Sequence, residues 1–116
     1  MIKIQVLNNI SEKGLSKFSA DHYDLAETEN PDAMLLRSHK LSVEEIARPA
    51  VCAIGRAGAG VNNIPVDECT RRGIVVFNTP GANANAVKEL VMAALLLSQR
   101  GIIQGMEYVN TLGHIE

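Results

Sequence analysis

The segment AVCAIGRAGAGVNNIPVDECTRRGIVVF, residues 50–77, decides the fold class of this chain. It begins and ends with short, continuously apolar runs, 50–54 and 74–77, which are typical of strands buried on both faces of a parallel sheet. Between the two runs, Pro65 opens an amphipathic helical pattern, and Gly73 ends it. A strand, a helix and a second strand in this order predict a β-α-β unit with parallel strands.

The same alternation of strands and helices extends toward the amino terminus. Residues 33–36 form a third apolar run, and Ser42 followed by Glu45 is a capping-box pattern, which predicts the start of a helix. The other predicted elements are a strand at 2–7, a helix at about 11–18 and a short strand at about 23–26. We therefore predict an α/β fold, a flavodoxin-like three-layer sandwich with a parallel sheet of about five strands and a long carboxyl-terminal interdomain helix.

That long helix, at about residues 84–100, is apolar nearly all round. Its apolar side chains are Val87, Leu90, Val91, Ala93, Ala94, Leu95, Leu96 and Leu97. A single amphipathic stripe cannot hold so many, so we expect the helix to contact a second domain or a second subunit as well as the sheet. A weaker helical pattern follows at 103–112. We predict a domain core at 1–82 and interdomain helices at 83–116, which lead to a domain outside this chain.

Composition and charge disfavour several classes of function. The 116 residues suffice for one domain, and 47% of them are apolar, as in globular proteins. Eleven Lys and Arg against thirteen Asp and Glu leave a net charge of -2 without a basic cluster, which disfavours nucleic-acid binding. The longest apolar run, 90–97, is far below the roughly 18 residues of a membrane span, and the amino terminus lacks a leader pattern. We expect a cytoplasmic protein that binds neither nucleic acid nor membrane.

The cysteines and histidines do not form the patterns of a metal site or a catalytic triad. Cys52 and Cys69 lack CxxC spacing and lie in segments predicted as core, so we interpret them as structural thiols. Zinc binding or redox chemistry is the alternative. His22, His39 and His114 are scattered along the chain. We predict surface histidines without a role, and no metal.

Polar and basic residues follow the predicted strands, where an open parallel sheet binds its ligands. Asn8 and Asn9 follow the first strand, Arg37-Ser38-His39 follows the third, and residues 56–60 and 78–83 follow the last two. The guanidinium of arginine and the backbone of glycine-rich turns both suit a carboxylate or a phosphate. The sequence therefore predicts a site for a small anion at this edge of the sheet.

Two plainer explanations of these residues stay open. Asparagine is an ordinary turn residue, which is a sufficient explanation for Asn8, Asn9, Asn62 and Asn63. Arg37 could pair with Asp32 or Glu45 in a surface ion pair instead of binding a ligand.

The turn Gly58-Ala59-Gly60 does not match a dinucleotide-binding fingerprint. The third glycine position of that motif holds Asn63, and the following helix begins only after Pro65. A true fingerprint follows the first strand and opens directly into a helix, whereas this turn follows the fourth strand. We therefore predict no dinucleotide fingerprint in this chain.

Two stretches resemble the D-2-hydroxyacid dehydrogenases. They are IGRAGAGVNNI at 54–64 and GIVVFNTPGAN at 73–83, and the similarity continues to Arg100. Arg37-Ser38 matches the LxRS-type turn of that family. The segments RAGAGVNN and NTPGANANAV are most similar to its phosphoglycerate branch. Asn62 departs from the pattern, since many members have Asp there, which affects the pairing within the turn and not the ligand groups.

The resemblance implies the substrate domain of a two-domain, NAD-dependent oxidoreductase. The reaction it implies is hydride transfer between NAD and a small anionic 2-hydroxy acid, with 3-phosphoglycerate in serine biosynthesis as the leading hypothesis. The family's catalytic Arg, Glu and His would follow Glu116, so no catalytic residue is assigned in this chain. His114 does not match the family's histidine. The resemblance therefore implies that the chain alone is inactive. The alternatives are a glyoxylate or hydroxypyruvate reductase, a D-lactate dehydrogenase, and a non-enzymatic NAD-sensing corepressor.

The resemblance also implies site residues and a partner. Its substrate-binding positions are Arg37, Ser38, Arg56, Ala57, Gly58 and Asn83, and its cofactor-binding positions are Ala59 and Val87. Arg37 would hold the anionic end of the substrate, and backbone N–H groups of the turn at 56–58 would receive its carboxylate. The helix at 84–100 would form a homodimer or a higher homo-oligomer.

Overall fold

The structure, a computed structural model, describes residues 1–25 and 28–113. The strands of its parallel sheet are β1 (Ile2–Leu7), β2 (Tyr23–Asp24), β3 (Ala33–Leu36), β4 (Ala53–Arg56) and β5 (Val75–Phe77). Their order across the sheet is β2-β1-β3-β4-β5, and every neighbouring pair is parallel. The predicted α/β class is confirmed. The strand order reverses between β1 and β3, and ligands bind at such a reversal in open sheets.

Helices connect and follow these strands. In the described part of the chain they are α1 (Glu12–Leu15), α2 (Val43–Ile46), α3 (Val66–Arg71), α4 (Ala84–Ser98) and α5 (Ile102–Thr111). The predicted capping box begins α2, because the Ser42 hydroxyl accepts from the Glu45 N–H while the Glu45 carboxylate accepts from the Ser42 N–H. After α3, Gly73 has a φ of 70°, a left-handed conformation that glycine adopts without strain.

Several predicted boundaries differ from the structure, by one or two residues at β5, α4 and α5 and by more elsewhere. Helix α1 has only four residues, and Gly14 within it weakens a helix. Strand β4 begins at Ala53 and not at residue 50, because the Val51 N–H donates to the Arg48 carbonyl at 3.2 Å in a turn. Strand β2 ends at Asp24, and the last residue predicted for it, Ala26, lies outside the described residues.

The hydrophobic core lies between the sheet and the helices α2 and α3. Met34, Leu36 and Ile54 supply its strand side, and each is at most 2% exposed. The residues that pack against them are Leu41, Ile46, Val51, Ile64, Cys69 and Ile74. Deep burial of an aliphatic side chain contributes about 1.5–3 kcal/mol, so this cluster holds the loops at the carboxyl end of β3 and β4 in place.

The prediction that the strands are buried on both faces is wrong in this structure. Along β3 only every second residue, Met34 and Leu36, is fully buried. On β5, Val75 is 47% exposed and Phe77 is 61% exposed. The reason is that the core cluster with α2 and α3 covers one face of these strands.

The prediction that both cysteines belong to the core holds for one of them. Cys69 is buried in the core cluster, and burial raises the pKa of its thiol. Cys52 is exposed, and its Sγ donates to the Asp32 carbonyl at 3.2 Å. Cys52 precedes the first residue of β4, so the pleat of the sheet does not direct its side chain into the core.

The chain divides into two compact units, Met1–Ala82 and a second unit that begins at Asn83. The second unit contains α4 and α5, which are joined through Gly101 in a left-handed conformation with a φ of 57°. Helix α4 ends at Ser98, close to the predicted end. Its apolar side chains are exposed, with Leu90 at 72%. Among the described residues, no helix combines the length and the apolar character needed to cross a membrane.

Candidate functional site

The loops that follow four strands are joined by side-chain hydrogen bonds at one edge of the sheet. Residues 8–9 follow β1, 37–39 follow β3, 57–60 follow β4 and 78–79 follow β5. Because parallel strands share a direction, their carboxyl ends meet at the same edge, as the sequence predicted.

Asn8 holds the loop after β3. Its backbone φ is 72°, a left-handed conformation that asparagine tolerates better than most residues. From this position the Oδ1 atom accepts from three consecutive backbone N–H groups, those of Arg37 at 3.4 Å, Ser38 at 3.1 Å and His39 at 2.6 Å. Three converging N–H groups form an anion-binding concavity, and here a neutral amide oxygen fills it.

The Arg56 guanidinium donates to two backbone carbonyls of this chain. Its Nε donates to the Arg37 carbonyl at 3.0 Å, and its Nη1 donates to the Gly60 carbonyl. The side chain lies against the turn, since a Cβ atom on Gly58 would be 3.1 Å from the guanidinium carbon. Arg56 therefore shapes the turn with its side chain, and glycine at 58 leaves room for it.

Two asparagines complete the network. The Nδ2 of Asn63 donates to the His39 carbonyl at 2.7 Å and to the Arg37 carbonyl at 3.3 Å. The Nδ2 of Asn78 donates to the Ala59 carbonyl at 2.7 Å. The sequence predicts Asn63 only as a turn residue and indicates no separate role for Asn78, although the position of Asn78 directly after β5 is a usable signal.

The Arg37 side chain is exposed and lies outside this network. Within residues 1–25 and 28–113, its guanidinium has no hydrogen bond or ion pair. The two acids considered as its partners are engaged elsewhere: Asp32 accepts from the Lys3 N–H at 2.7 Å, and Glu45 accepts from His39 and Ser42. The ion-pair alternative for Arg37 therefore has no support among these residues.

A shallow cleft lies beside this arginine. Its lining residues are Asn8, Asn9, Arg37 and Ser38, and its volume is about 330 Å³. The volume is at the lower end of the range for small-molecule sites. An exposed guanidinium and an exposed hydroxyl give the cleft a donor-rich wall, which suits a small anion.

The turn after β4 has four consecutive backbone N–H groups, at residues 57–60, and two of them are already bonded within the chain. The N–H of Ala57 donates to the Leu36 carbonyl at 2.8 Å and that of Gly58 to the Arg56 carbonyl at 2.9 Å, so both are occupied. Over the described residues, the N–H groups of Ala59 and Gly60 have no acceptor. An anion at this turn would therefore meet the donors at 59 and 60.

His39 has a structural role, in contrast to the predicted surface histidine. Its Nε2 lies 2.9 Å from Glu45 Oε1. Burial acts to raise the pKa of Glu45, but hydrogen bonds from the Ser42 N–H and from His39 outweigh it and hold that pKa below its usual range. The pair ties the loop after β3 to the first turn of α2.

Replacing Glu45 by glutamine should change the pH dependence of stability. Because the folded-state pKa is lowered, ionised Glu45 stabilises the fold above its unfolded-state pKa of about 4.3, and this is lost as the pH falls through the folded-state value. We expect Glu45→Gln to reduce the free energy of unfolding by about 1 kcal/mol near pH 6. Urea unfolding should show the difference shrinking as the pH falls below the unfolded-state value and through the lowered folded-state one. Glu107→Gln, at an exposed position of α5, is the control, and a difference that persists at low pH would contradict the assignment.

Two predicted site residues belong to the second unit. Asn83 is the residue before α4 and makes no side-chain cap hydrogen bond, while its carbonyl accepts from the Val87 N–H at 3.1 Å. The Val87 side chain is half exposed. Both side chains are therefore accessible within that unit.

The described residues do not fit the pyrophosphate of a dinucleotide. After Gly60 the chain continues through further loop residues, and α3 begins only at Val66. The Arg56 guanidinium also lies against Gly58 and Gly60, where a Cβ atom would be 3.1–3.2 Å from it, so the space beside this turn is taken by a side chain of the same chain. Residues 1–25 and 28–113 contain no group of three His, Cys, Asp or Glu side chains that could hold a metal ion.

Comparison with known proteins covers nearly the whole chain. Residues 4–113 match the family described as "D-isomer specific 2-hydroxyacid dehydrogenase, catalytic domain". D-3-phosphoglycerate dehydrogenase of Methanocaldococcus jannaschii is 32% identical over 103 residues, which are 87% of this chain and 20% of that protein. The protein of the same name from Synechocystis is 44% identical over 73 residues, 61% of this chain and 13% of that protein. The chain thus spans about a fifth of these curated relatives or less.

A solved structure has the same fold. NAD+-bound 3-phosphoglycerate dehydrogenase of Entamoeba histolytica matches with a TM-score of 0.71 and 28% identity, over 83% of this chain and 38% of that one. A Thermus thermophilus protein, TT0316, matches with a TM-score of 0.84 at 19% identity, which is a likeness of fold alone.

Proposed function

Because this chain belongs to the D-isomer specific 2-hydroxyacid dehydrogenase family, we propose that it is the substrate-binding part of an NAD-dependent D-3-phosphoglycerate dehydrogenase. The observation that carries the proposal is the exposed guanidinium of Arg37, which has no partner among the described residues and follows β3 beside the reversal of strand order. The relatives at 32% and 44% identity that bear this name favour phosphoglycerate over other 2-hydroxy acids.

The proposed reaction is the oxidation of 3-phosphoglycerate to 3-phosphohydroxypyruvate, in serine biosynthesis. NAD, when bound, would supply the hydride acceptor for the hydroxyl-bearing carbon, and a base would take the hydroxyl proton. Residues outside these 116 would supply that base and most of the NAD site, since the turn at 58–60 does not fit a pyrophosphate. The part of this chain is to bind and orient the substrate, and we propose that it is inactive alone.

The site residues divide by the chemistry they offer. Arg37 provides a planar fork of donors for a carboxylate or phosphate, and Ser38 adds a hydroxyl beside it. The turn that contains Arg56, Ala57 and Gly58 is followed by two N–H groups, those of Ala59 and Gly60, which have no acceptor among the described residues and would receive the carboxylate. Asn83 would add an amide to the substrate side, and Ala59 and Val87 would contact the nicotinamide side of NAD.

Binding of D-glycerate 3-phosphate to the chain tests this proposal. Titration followed by nuclear magnetic resonance should shift the amide signals of Arg37, Ser38, Ala59 and Gly60, and the affinity should exceed that for D-lactate or glyoxylate. Stronger binding of either smaller acid would favour the alternative dehydrogenases. Signals that do not move with any of the three would contradict a substrate site at this edge.

We also propose that the second unit links the domain at 1–82 to a nucleotide-binding domain and takes part in a homodimer. The support is the exposed apolar surface of α4, which includes Leu90, Leu95 and Leu96. Leaving such side chains in water costs about 1.5–3 kcal/mol each relative to burial.

The chain should therefore self-associate in solution. Sedimentation velocity across a range of concentrations should show a species heavier than the 12.5 kDa monomer, and Leu90→Asp should shift the equilibrium toward monomer because it places a charge in an apolar contact. Val75→Asp, at an exposed apolar position of the sheet, is the matched control. A chain that stays monomeric at the highest concentration would contradict this part of the proposal.

A further inference from the structure

We propose that Asn8, Arg56 and Asn63 are positioning residues that clamp the backbone of Arg37, so that its guanidinium is presented to the substrate anion from a fixed point. This inference rests on the proposed function, because it assigns the clamp a purpose at the Arg37 site. None of the three needs to contact the substrate in order to act.

The clamp holds Arg37 on both sides of its backbone. Asn8 Oδ1 accepts from the Arg37 N–H at 3.4 Å and holds the next two N–H groups more closely, at 3.1 and 2.6 Å. On the other side, the Arg37 carbonyl accepts from Arg56 Nε at 3.0 Å and from Asn63 Nδ2 at 3.3 Å. The three side chains come from the loop after β1, from the last residue of β4 and from the loop before α3, whereas the Arg37 side chain is exposed and without a partner in the described chain.

The cost of this arrangement indicates that it has a purpose beyond closing a turn. Asn8 adopts a left-handed conformation that is uncommon for residues other than glycine. The Oδ1 of Asn63 is buried without a hydrogen-bond partner among the described residues, and an unsatisfied buried acceptor destabilises a fold. Both features, the left-handed backbone of Asn8 and the unpaired Oδ1 of Asn63, are explained if these side chains serve to fix the backbone of Arg37.

The neutrality of Asn8 fits the same purpose. An aspartate could accept from the same three N–H groups, and a charged acceptor would bind them more strongly. It would, however, place a negative charge in the cleft that Asn8 and Arg37 line, where the substrate anion is to bind. An amide holds the loop and leaves the positive charge of Arg37 uncompensated.

A double-mutant cycle tests the inference. We would measure the dissociation constant of D-glycerate 3-phosphate by titration of the 116-residue chain and of its Asn8→Gly, Arg37→Ala and doubly substituted variants. Glycine is chosen because it tolerates the left-handed backbone, so only the amide is removed. Asn8→Gly should weaken binding about three- to tenfold, and in the Arg37→Ala background it should have no further effect, because coupled neighbours are not additive.

Two more variants separate positioning from general stability. Relative to Asn8→Gly, Asn8→Asp should restore slow hydrogen exchange at the amides of residues 37–39. The affinity of Asn8→Asp for D-glycerate 3-phosphate should stay below that of the natural chain at low salt and approach it at high salt, because salt screens the added charge. Asn30→Ala, an exposed asparagine in the loop before β3, should leave both quantities unchanged.

The outcomes distinguish this inference from the proposed function. If Arg37→Ala weakens binding but Asn8→Gly leaves the dissociation constant within twofold, or if the two losses add fully in the double variant, the clamp is not a positioning device. If Arg37→Ala itself has no effect, or the natural chain does not bind the probe, the proposed site is wrong and the clamp loses its purpose.

Discussion

Arg37→Ala is expected to weaken the binding of 3-phosphoglycerate by about 10- to 150-fold, the equivalent of about 1.5–3 kcal/mol for a charge-assisted contact. The physical reason is that this guanidinium is exposed at the carboxyl edge of the sheet, and its backbone is held by three side chains. In the full-length enzyme the same loss should appear in kcat/KM, while NAD binding stays nearly unchanged. Titration of the chain and steady-state kinetics of the enzyme are the two measurements.

Two further substitutions make the result specific. Arg37→Lys should recover only part of the loss, because an ammonium keeps the charge but lacks the bidentate fork. Lys40→Ala removes an exposed cation from the same loop and should have little effect. If Arg37→Ala changed affinity by less than twofold while lowering the free energy of unfolding, Arg37 would be a structural residue and not a ligand.

Ile54→Ala should have the largest effect on stability. Ile54 is fully buried at the centre of β4, within the cluster that α2 and α3 cover. Truncation of such a side chain leaves a cavity that close-packed neighbours fill only in part, which costs about 2–5 kcal/mol. For a domain of this size, that is a large share of the free energy of unfolding. Denaturant unfolding followed by circular dichroism measures it.

Ile2→Ala is the matched control for this prediction, because it removes the same atoms from the first residue of β1, where the side chain is 47% exposed. We expect a loss well below that of Ile54→Ala. Equal losses in the two variants would mean that the first unit packs differently from the cluster described above.

The fold was predictable where local patterns and burial agree. The capping box placed α2 correctly, and the apolar run of β3 was predicted with its observed bounds, Ala33–Leu36. The start of β4 was not, because the apolar run 50–54 includes Val51, whose N–H closes a turn on Arg48, and the exposed Cys52. Hydrophobicity alone does not separate a strand from the buried end of a loop.

The candidate site was predictable as a place but not as a set of roles. Topology alone brings the carboxyl ends of parallel strands together, so the convergence of residues 8–9, 37–39 and 56–60 followed from the order of elements. The roles depend on contacts between distant segments, such as the bonds from residues 37–39 to Asn8 across about thirty positions. The sequence has no periodicity that encodes such contacts, and therefore Arg56 and Asn63 could not be assigned as supports for Arg37.

The all-parallel sheet has a consequence for how the chain acquires its structure. Every strand pair is joined by a crossover, so each contact requires a loop to close before it contributes stability. Among the pairs that build the core, β3 with β4 and β4 with β5 are each about twenty residues apart in sequence, whereas β1 reaches β3 over about thirty. Topologies dominated by such separations fold more slowly than those rich in local contacts. We expect β3, β4 and β5 to pair before β1 joins them, so the Asn8 contacts to residues 37–39 should form after the pairing of β3 with β4.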